Sequence, residues 1–157
     1  MQDFEQYLME KYPSLHRKDG EGNTLPPECG NDCPEGWKDM VDELCQCIHD
    51  YVTLTYHTRK KEDGSFEKVY PPTVIIDQIK SKFGGLRFYF SGGDDRVRGM
   101  VAVAEHLCSS ICENTGEQPA RKFVKNGWIS TLSDVEINRL TKRLDEIQTT
   151  DILSYQP

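Results

Sequence analysis

The sequence predicts an α+β fold in which an antiparallel sheet, built from two hairpins, packs against amphipathic helices. Three features carry that expectation. Lys82-Phe83-Gly84-Gly85-Leu86-Arg87-Phe88-Tyr89-Phe90-Ser91-Gly92-Gly93-Asp94-Asp95 reads as a tight turn, an aromatic strand and a glycine pair feeding a helix. Arg121 to Val124 and Trp128 to Leu132 flank Lys125-Asn126-Gly127, and an Asn-Gly pair between apolar runs signals a hairpin because both residues accept positive φ. Glu35 to about Tyr56 and Arg96 to Cys112 repeat their apolar residues at helical spacing. The 157 residues suffice for one domain with a real core.

Taken in order, Asp3 to Tyr12 places Phe4, Tyr7, Leu8 and Met9 at helix-like spacing and meets Pro13, which predicts a short docking helix over 1–12. Ser14 to Pro34 turns to Gly, Pro, Asn, Asp and charge, an irregular surface connection long enough to need something that orders it. The helix from Glu35 has Trp37, Val41, Leu44, Ile48, Tyr51 and Val52 on one stripe, with Asp39, Asp42, Glu43, Gln46, His49 and Asp50 opposite. Arg59 to Ser65 reads as a charged turn, and Lys68-Val69-Tyr70 before Pro71-Pro72 is at most a short edge strand. Thr73 to Phe83, rich in Val74, Ile75, Ile76 and Ile79, pairs with the aromatic strand across Gly84-Gly85; a helix over Ile75 to Lys82 is the alternative. Along the aromatic strand, Leu86, Phe88 and Phe90 share the core face while Arg87 and Tyr89 face the other way.

Gly92 and Gly93 permit the turn into the next helix, where Asp94 is placed as N-cap. That helix directs Val97, Met100, Val101, Ala104, Leu107, Cys108 and Ile111 inward and ends at Asn114-Thr115-Gly116. Ser133-Asp134-Val135-Glu136 has the form of a capping box, so a last helix runs to about Ile147 with Ile137, Leu140, Leu144 and Ile147 as its stripe. The tail 148–157 is expected to be loose.

The 26 acidic residues outnumber the 19 basic ones, and a net charge of −7 disfavours broad binding to nucleic-acid backbone. No apolar run approaches the ~18 residues of a membrane span, and the amino terminus lacks the basic and apolar regions of a secretory signal. The expected setting is the cytoplasm, with no membrane partner, and there the six cysteines are expected to be free thiols. Metal sites drawing on Cys29 and Cys33, Cys45 and Cys47, Cys45 and His49, or Cys108 and Cys112 remain alternatives, as does a Cys29–Cys33 disulfide. None of these spacings repeats a pair-of-pairs pattern, so structural thiols are the preferred reading. His16, His49, His57 and His106 are scattered without a catalytic signature, so neither catalysis nor a cofactor is expected.

Glu28-Cys29-Gly30 followed by Gly36-Trp37 and an amphipathic helix, the strand Lys82 to Tyr89, and the following Gly-Gly-Asp with its helix form one set of marks. Over roughly 11–133 the chain resembles a broad group of small, uncharacterised phage and prophage proteins, a resemblance that implies origin rather than chemistry. Many members carry a Cys-x-x-Cys pair and, downstream, Trp-x-x-Thr-Leu-Cys-x-x-His, which resembles a zinc ribbon. Here the corresponding positions are Cys112, Thr115, Ser133 and Glu136, so three of the four implied ligands are replaced. Zinc prefers thiolate and imidazole at a structural site, and this one is expected to hold none.

The candidate ligand-binding residues are Arg87, Tyr89, Gly92, Gly93, Arg96 and Trp128. Backbone amides at a helix start with arginines nearby suit an anion or nucleotide, whereas Asp94 and Asp95 put negative charge at the same end. Trp37 and Trp128 most simply anchor the core; an exposed Trp128 beside Tyr89 would instead be a stacking platform. The leading functional expectation is a phage-derived, non-enzymatic protein that inhibits a component of a bacterial antiviral defence by contact with a host protein. Sequestration of a small nucleotide signal is the first alternative, and a degenerate zinc-ribbon module binding nucleic acid the second.

Overall fold

The structure, a computed structural model, describes residues 3–153. It is α+β, as the sequence predicts. The central hairpin joins β4 (Val74–Lys82) to β5 (Gly85–Gly92), so Ile75 to Lys82 is strand and not the alternative helix. Val74, Ile76 and Ile79 of β4 and Leu86 and Phe88 of β5 point into the core. Ile76 and Ile79 are three residues apart, a spacing that simple alternation would send to opposite faces. The register slips between Ile76 and Gln78, so Asp77 is the extra residue of a bulge and Ile79 returns to the inner face.

Two helices cover that inner face: α2 (Lys38–Leu54), entered through a 3₁₀ turn at Glu35–Trp37, and α3 (Asp95–Cys108). Trp37 is fully buried at the start of α2, and its indole N–H donates to the Ile111 carbonyl at 2.9 Å. The predicted docking helix α1 (Phe4–Lys11) is tied to α2 through one carboxylate: Tyr12 and Tyr7 hydroxyls donate to Asp42 at 2.7 and 3.0 Å, and Lys11 bonds it at 2.9 Å. Asp94 caps α3 as predicted, accepting the amide protons of Arg96 and Val97.

Edge pairing orders the long connection at 14–34. A short strand β1 (Asn31–Asp32) lies parallel to β4, the Gly30 carbonyl accepts from the Ile79 amide, and Gln78 donates to the Cys29 carbonyl at 2.8 Å. Upstream, Asp19 accepts the amides of Glu21 and Asn23 at 2.8 Å each, forming an Asx turn.

The second predicted hairpin, β6 (Ala120–Lys125) with β7 (Trp128–Ser133), turns through Asn126 and Gly127 at φ of 50° and 78°. It forms its own two-stranded sheet and packs with α4 (Asp134–Leu153) around Cys112, Leu132 and Ile137. This unit grips the turn of the central hairpin, where Thr131 Oγ1 donates to the Gly84 carbonyl at 2.5 Å and Lys122 Nζ donates to the same carbonyl. A Cβ on Gly84 would stand 3.0 Å from the Ser130 carbonyl carbon, so the close approach needs glycine.

Several expectations are corrected. His57–Lys60 and Phe66–Val69 form a third hairpin, β2 with β3, where a charged turn and a short edge strand were expected. No residue of it is buried, so no apolar alternation marks the ribbon; its Asp63-Gly64 turn and a Tyr56–Tyr70 ring contact at its base take that role. The last helix continues past Ile147 to Leu153, so the expected loose tail begins with six helical residues; 154–157 lie outside the described residues. Helix α3 stops at Cys108, and Ile111 and Cys112 are buried beyond it. Leu107 faces solvent, and Phe90 is only partly buried. His16 is buried with its ring bonded to the Tyr12 carbonyl, and desolvation pushes its pKa down.

Candidate functional site

The six sequence-derived candidates lie in three places along the central hairpin. Arg87 and Tyr89 stand on the outer face of β5, opposite Lys80 and Gln78 of β4. Gly92, Gly93 and Arg96 lie at the far end. There the glycines serve the turn: Gly92 has φ of 77°, and a Cβ on it would meet the Thr73 carbonyl oxygen at 2.1 Å. The anion site weighed as an alternative at this helix start is already filled from within. One oxygen of Asp94 takes the Arg96 and Val97 amides, and the other accepts the Tyr51 hydroxyl at 2.7 Å, so donors and charge are satisfied. Tyr51 before the amides holds the Asp94 carboxyl below its usual range.

A cleft of about 490 Å³ adjoins this end, walled by Tyr51, Tyr56, Tyr70 and Pro71. The chain's own cations occupy its rings, with Lys68 4.3 Å from the centre of Tyr56 and Arg96 5.2 Å from that of Tyr51. Trp128 lies at the opposite end of the hairpin and is 74% exposed, so it is not a core anchor. Its neighbour is Phe83 rather than Tyr89, and together with Ser81, Lys82 and Ile129 the two line a pocket of about 300 Å³.

The cysteines are free: Cys29 and Cys47 exposed, Cys33 partly buried, Cys45, Cys108 and Cys112 buried. Burial pushes the Cys33 and Cys108 thiols up to about 12. No group of three His, Cys, Asp or Glu among the described residues is placed to hold a metal.

Cys112, Thr115, Ser133 and Glu136 are joined by hydrogen bonds. Burial raises the Cys112 thiol's pKa, but bonds from the Thr115 hydroxyl and from backbone amides, Ser133 first, outweigh that and hold it below the ordinary thiol value. Ser133 Oγ accepts the Glu136 amide at 3.2 Å and donates to Glu117 at 2.8 Å. The capping box is therefore half made, because the Glu136 carboxylate does not return to Ser133. It accepts Asn114 at 2.9 Å and two Arg139 bonds at 2.7 Å.

Glu136 is 2% exposed, and the Arg139 pairing before the Asn114 bond brings its pKa to about 2. A carboxyl depressed on folding stabilises fully above its unfolded value of 4.5 and loses that contribution as pH falls toward 2. Urea midpoints of the wild type should therefore drop across this window. Glu136→Gln should flatten that drop and cost about 1–3 kcal/mol at neutral pH, since Arg139 loses its partner.

One apolar groove was not foreseen. Met40, Glu43 and Cys47 of α2 and Met100, Val103 and Leu107 of α3 line a groove of about 390 Å³. Val103 is 59% and Leu107 45% exposed. A hollow of about 260 Å³ that shares Met40 and Glu43 extends it past Asp39 toward Gly36 and Ile111. Neither Asp39 nor Glu43 forms an ion pair among the described residues, so the groove is apolar along its floor and acidic on its α2 rim. The sequence signal was present: Gly99, Met100, Val103 and Leu107 widen the apolar stripe of α3 beyond the face a core requires.

No helix among the described residues is long and apolar enough to cross a membrane. Comparisons with protein-family models, curated proteins and solved structures find no match.

Proposed function

We propose that the chain is a non-enzymatic binding protein, phage-derived, that inhibits a component of a bacterial antiviral defence in the host cytoplasm. It does so by seating a helix of that host protein in the α2–α3 groove. The groove carries the reading: an apolar trough with Val103 and Leu107 open to solvent and unpaired Asp39 and Glu43 on one rim. Such a surface fits an amphipathic helix whose apolar face enters the trough and whose flanks are basic, because opposed charges fix orientation and speed encounter. The phage origin rests on the resemblance carried by Glu28-Cys29-Gly30, Gly36-Trp37 and Lys82 to Tyr89, and the choice of a defence component as target rests on the chain's net charge of −7 and the lack of a catalytic signature in its sequence.

The test is plating of phages on lawns that carry a panel of antiviral systems, with and without the chain. Recovery of plating against at least one system, lost when the groove is disrupted, is the expected outcome. Unchanged plating across the panel, or recovery indifferent to the groove, overturns the reading.

A further inference from the structure

The face of the central hairpin turned away from α2 and α3 carries a concentration of positive charge at odds with the chain's net −7. Lys80 of β4 and Arg87 of β5 are direct cross-strand partners, a like-charge pairing that costs stability where nothing neutralises it. Lys82 follows two residues along the same face of β4. Lys122 reaches in from β6 to the Phe83 and Gly84 carbonyls, and its pKa is pushed down by burial first and also by Arg87. None of Lys80, Lys82, Arg87 and Lys122 forms an ion pair among the described residues. The nearby carboxylate of Glu113 accepts from Ser81 and the Thr131 amide and offsets part of the charge on Lys122 without pairing with it.

Exposed aromatic rings are interleaved with these cations. Tyr89 is 42% exposed with Lys80 Nζ 5.6 Å from its centre, and Phe83 is 70% exposed with Lys82 Nζ at the same distance. Phe83 takes φ of 53°, a region bulky residues rarely occupy, and its ring stays in solvent beside the pocket it shares with Trp128. Tyr89 and Phe83 each carry one of the chain's own cations, as the cleft rings do, but at the longer distance of 5.6 Å, and Phe83 and Trp128 keep 70% and 74% of their surface in solvent.

We propose that this strip binds single-stranded nucleic acid, with phosphates on Lys80, Lys82, Arg87 and Lys122 and bases stacked on Tyr89, Phe83 and Trp128. Stacking on ring faces requires bases free of a duplex, which selects single strands. The acidic remainder of the chain does not forbid it, because charges beyond the ~10 Å screening length at moderate salt contribute little. The strip lies on the opposite side of the sheet from the groove, so it stands or falls separately from the docking of a protein helix.

The experiment titrates the whole chain into fluorescein-labelled oligo-dT and oligo-rU of about 20 nucleotides at about 50 mM salt, reading anisotropy and tryptophan emission together. Saturable binding is expected, with quenching at exposed Trp128 while buried Trp37 is untouched. Four phosphate contacts predict a log–log salt slope of about −3. Trp128→Ala, at an exposed position that leaves the fold intact, should weaken binding at least about fivefold, and Arg87→Ala should weaken it and flatten the slope. A duplex of the same length should bind more weakly. Absence of saturable binding, which an acidic protein partner on this face would produce, overturns the proposal. So does equal affinity for the duplex, or binding that Trp128→Ala leaves unchanged.

Discussion

Gly36→Ala is expected to destabilise the fold by about 3–5 kcal/mol, read as a lowered urea midpoint with unchanged slope. A Cβ at this position would stand 1.9 Å from the Cys112 carbonyl oxygen and 2.4 Å from the Gly116 amide nitrogen. Both are backbone atoms, which cannot rotate aside as a flexible side chain can. The segments are held together by hydrogen bonds, Gly36 N–H to the Glu113 carbonyl at 2.8 Å and Gly116 N–H to the Cys112 carbonyl at 2.8 Å. Gly36 also precedes Trp37, so displacing it withdraws the largest core side chain and its bond to Ile111. Gly99→Ala makes the contrast: its Cβ meets no atom within 4 Å among the described residues, and a helical glycine replaced by alanine should gain about 0.5–1 kcal/mol. A Gly36→Ala variant as stable as the wild type would mean that the joint between α2 and the C-terminal unit is looser than drawn.

Val103→Asp carries the largest expected effect on binding. The probe is a labelled amphipathic peptide with leucines at i, i+3, i+4 and i+7 and lysines on its flanks. Val103 is 59% exposed, so the fold should change by no more than about 0.5 kcal/mol. The short aspartate would sit among Met100, Leu107 and the apolar face of the peptide, too far inside to reach the flanking lysines. A desolvated, unpaired carboxylate there should lower affinity at least about 30-fold, or about 2 kcal/mol. Glu43→Lys should act differently, weakening binding less but removing its salt sensitivity, because it reverses charge on the rim and leaves the floor intact.

Much of the fold was legible because local chemistry and tertiary packing agree. Alternation placed Leu86 and Phe88 inside, Asn126-Gly127 announced the second hairpin, and Asp94 was identified as a cap. The misses share a cause, which is dependence on contacts remote in sequence. The bulge at Asp77 shows only once Ile76 is set against Phe90 and Gln78 against Tyr89. The β2–β3 ribbon has no buried face to produce alternation, and β1 exists only because β4 offers it an edge. The candidate site suffered likewise. Alternation gives the face on which Arg87 and Tyr89 lie, but not that Trp128 lands beside Phe83 or that Lys122 joins them from another hairpin. Leu107 and Val103 read as core residues or incidental surface until α2 and α3 are placed side by side with a trough between them.

Cys47 allows the central claim to be tested directly, because it lines the groove and is one of two exposed thiols. With Cys29→Ser removing the other, a polarity-sensitive dye on Cys47 reports from within the trough. Titration with the basic amphipathic peptide should shift its emission to the blue, saturating at the concentration where peptide anisotropy saturates. A peptide that binds while the Cys47 dye still reads water, or that does not bind at all, would contradict the assignment of the groove as the contact surface.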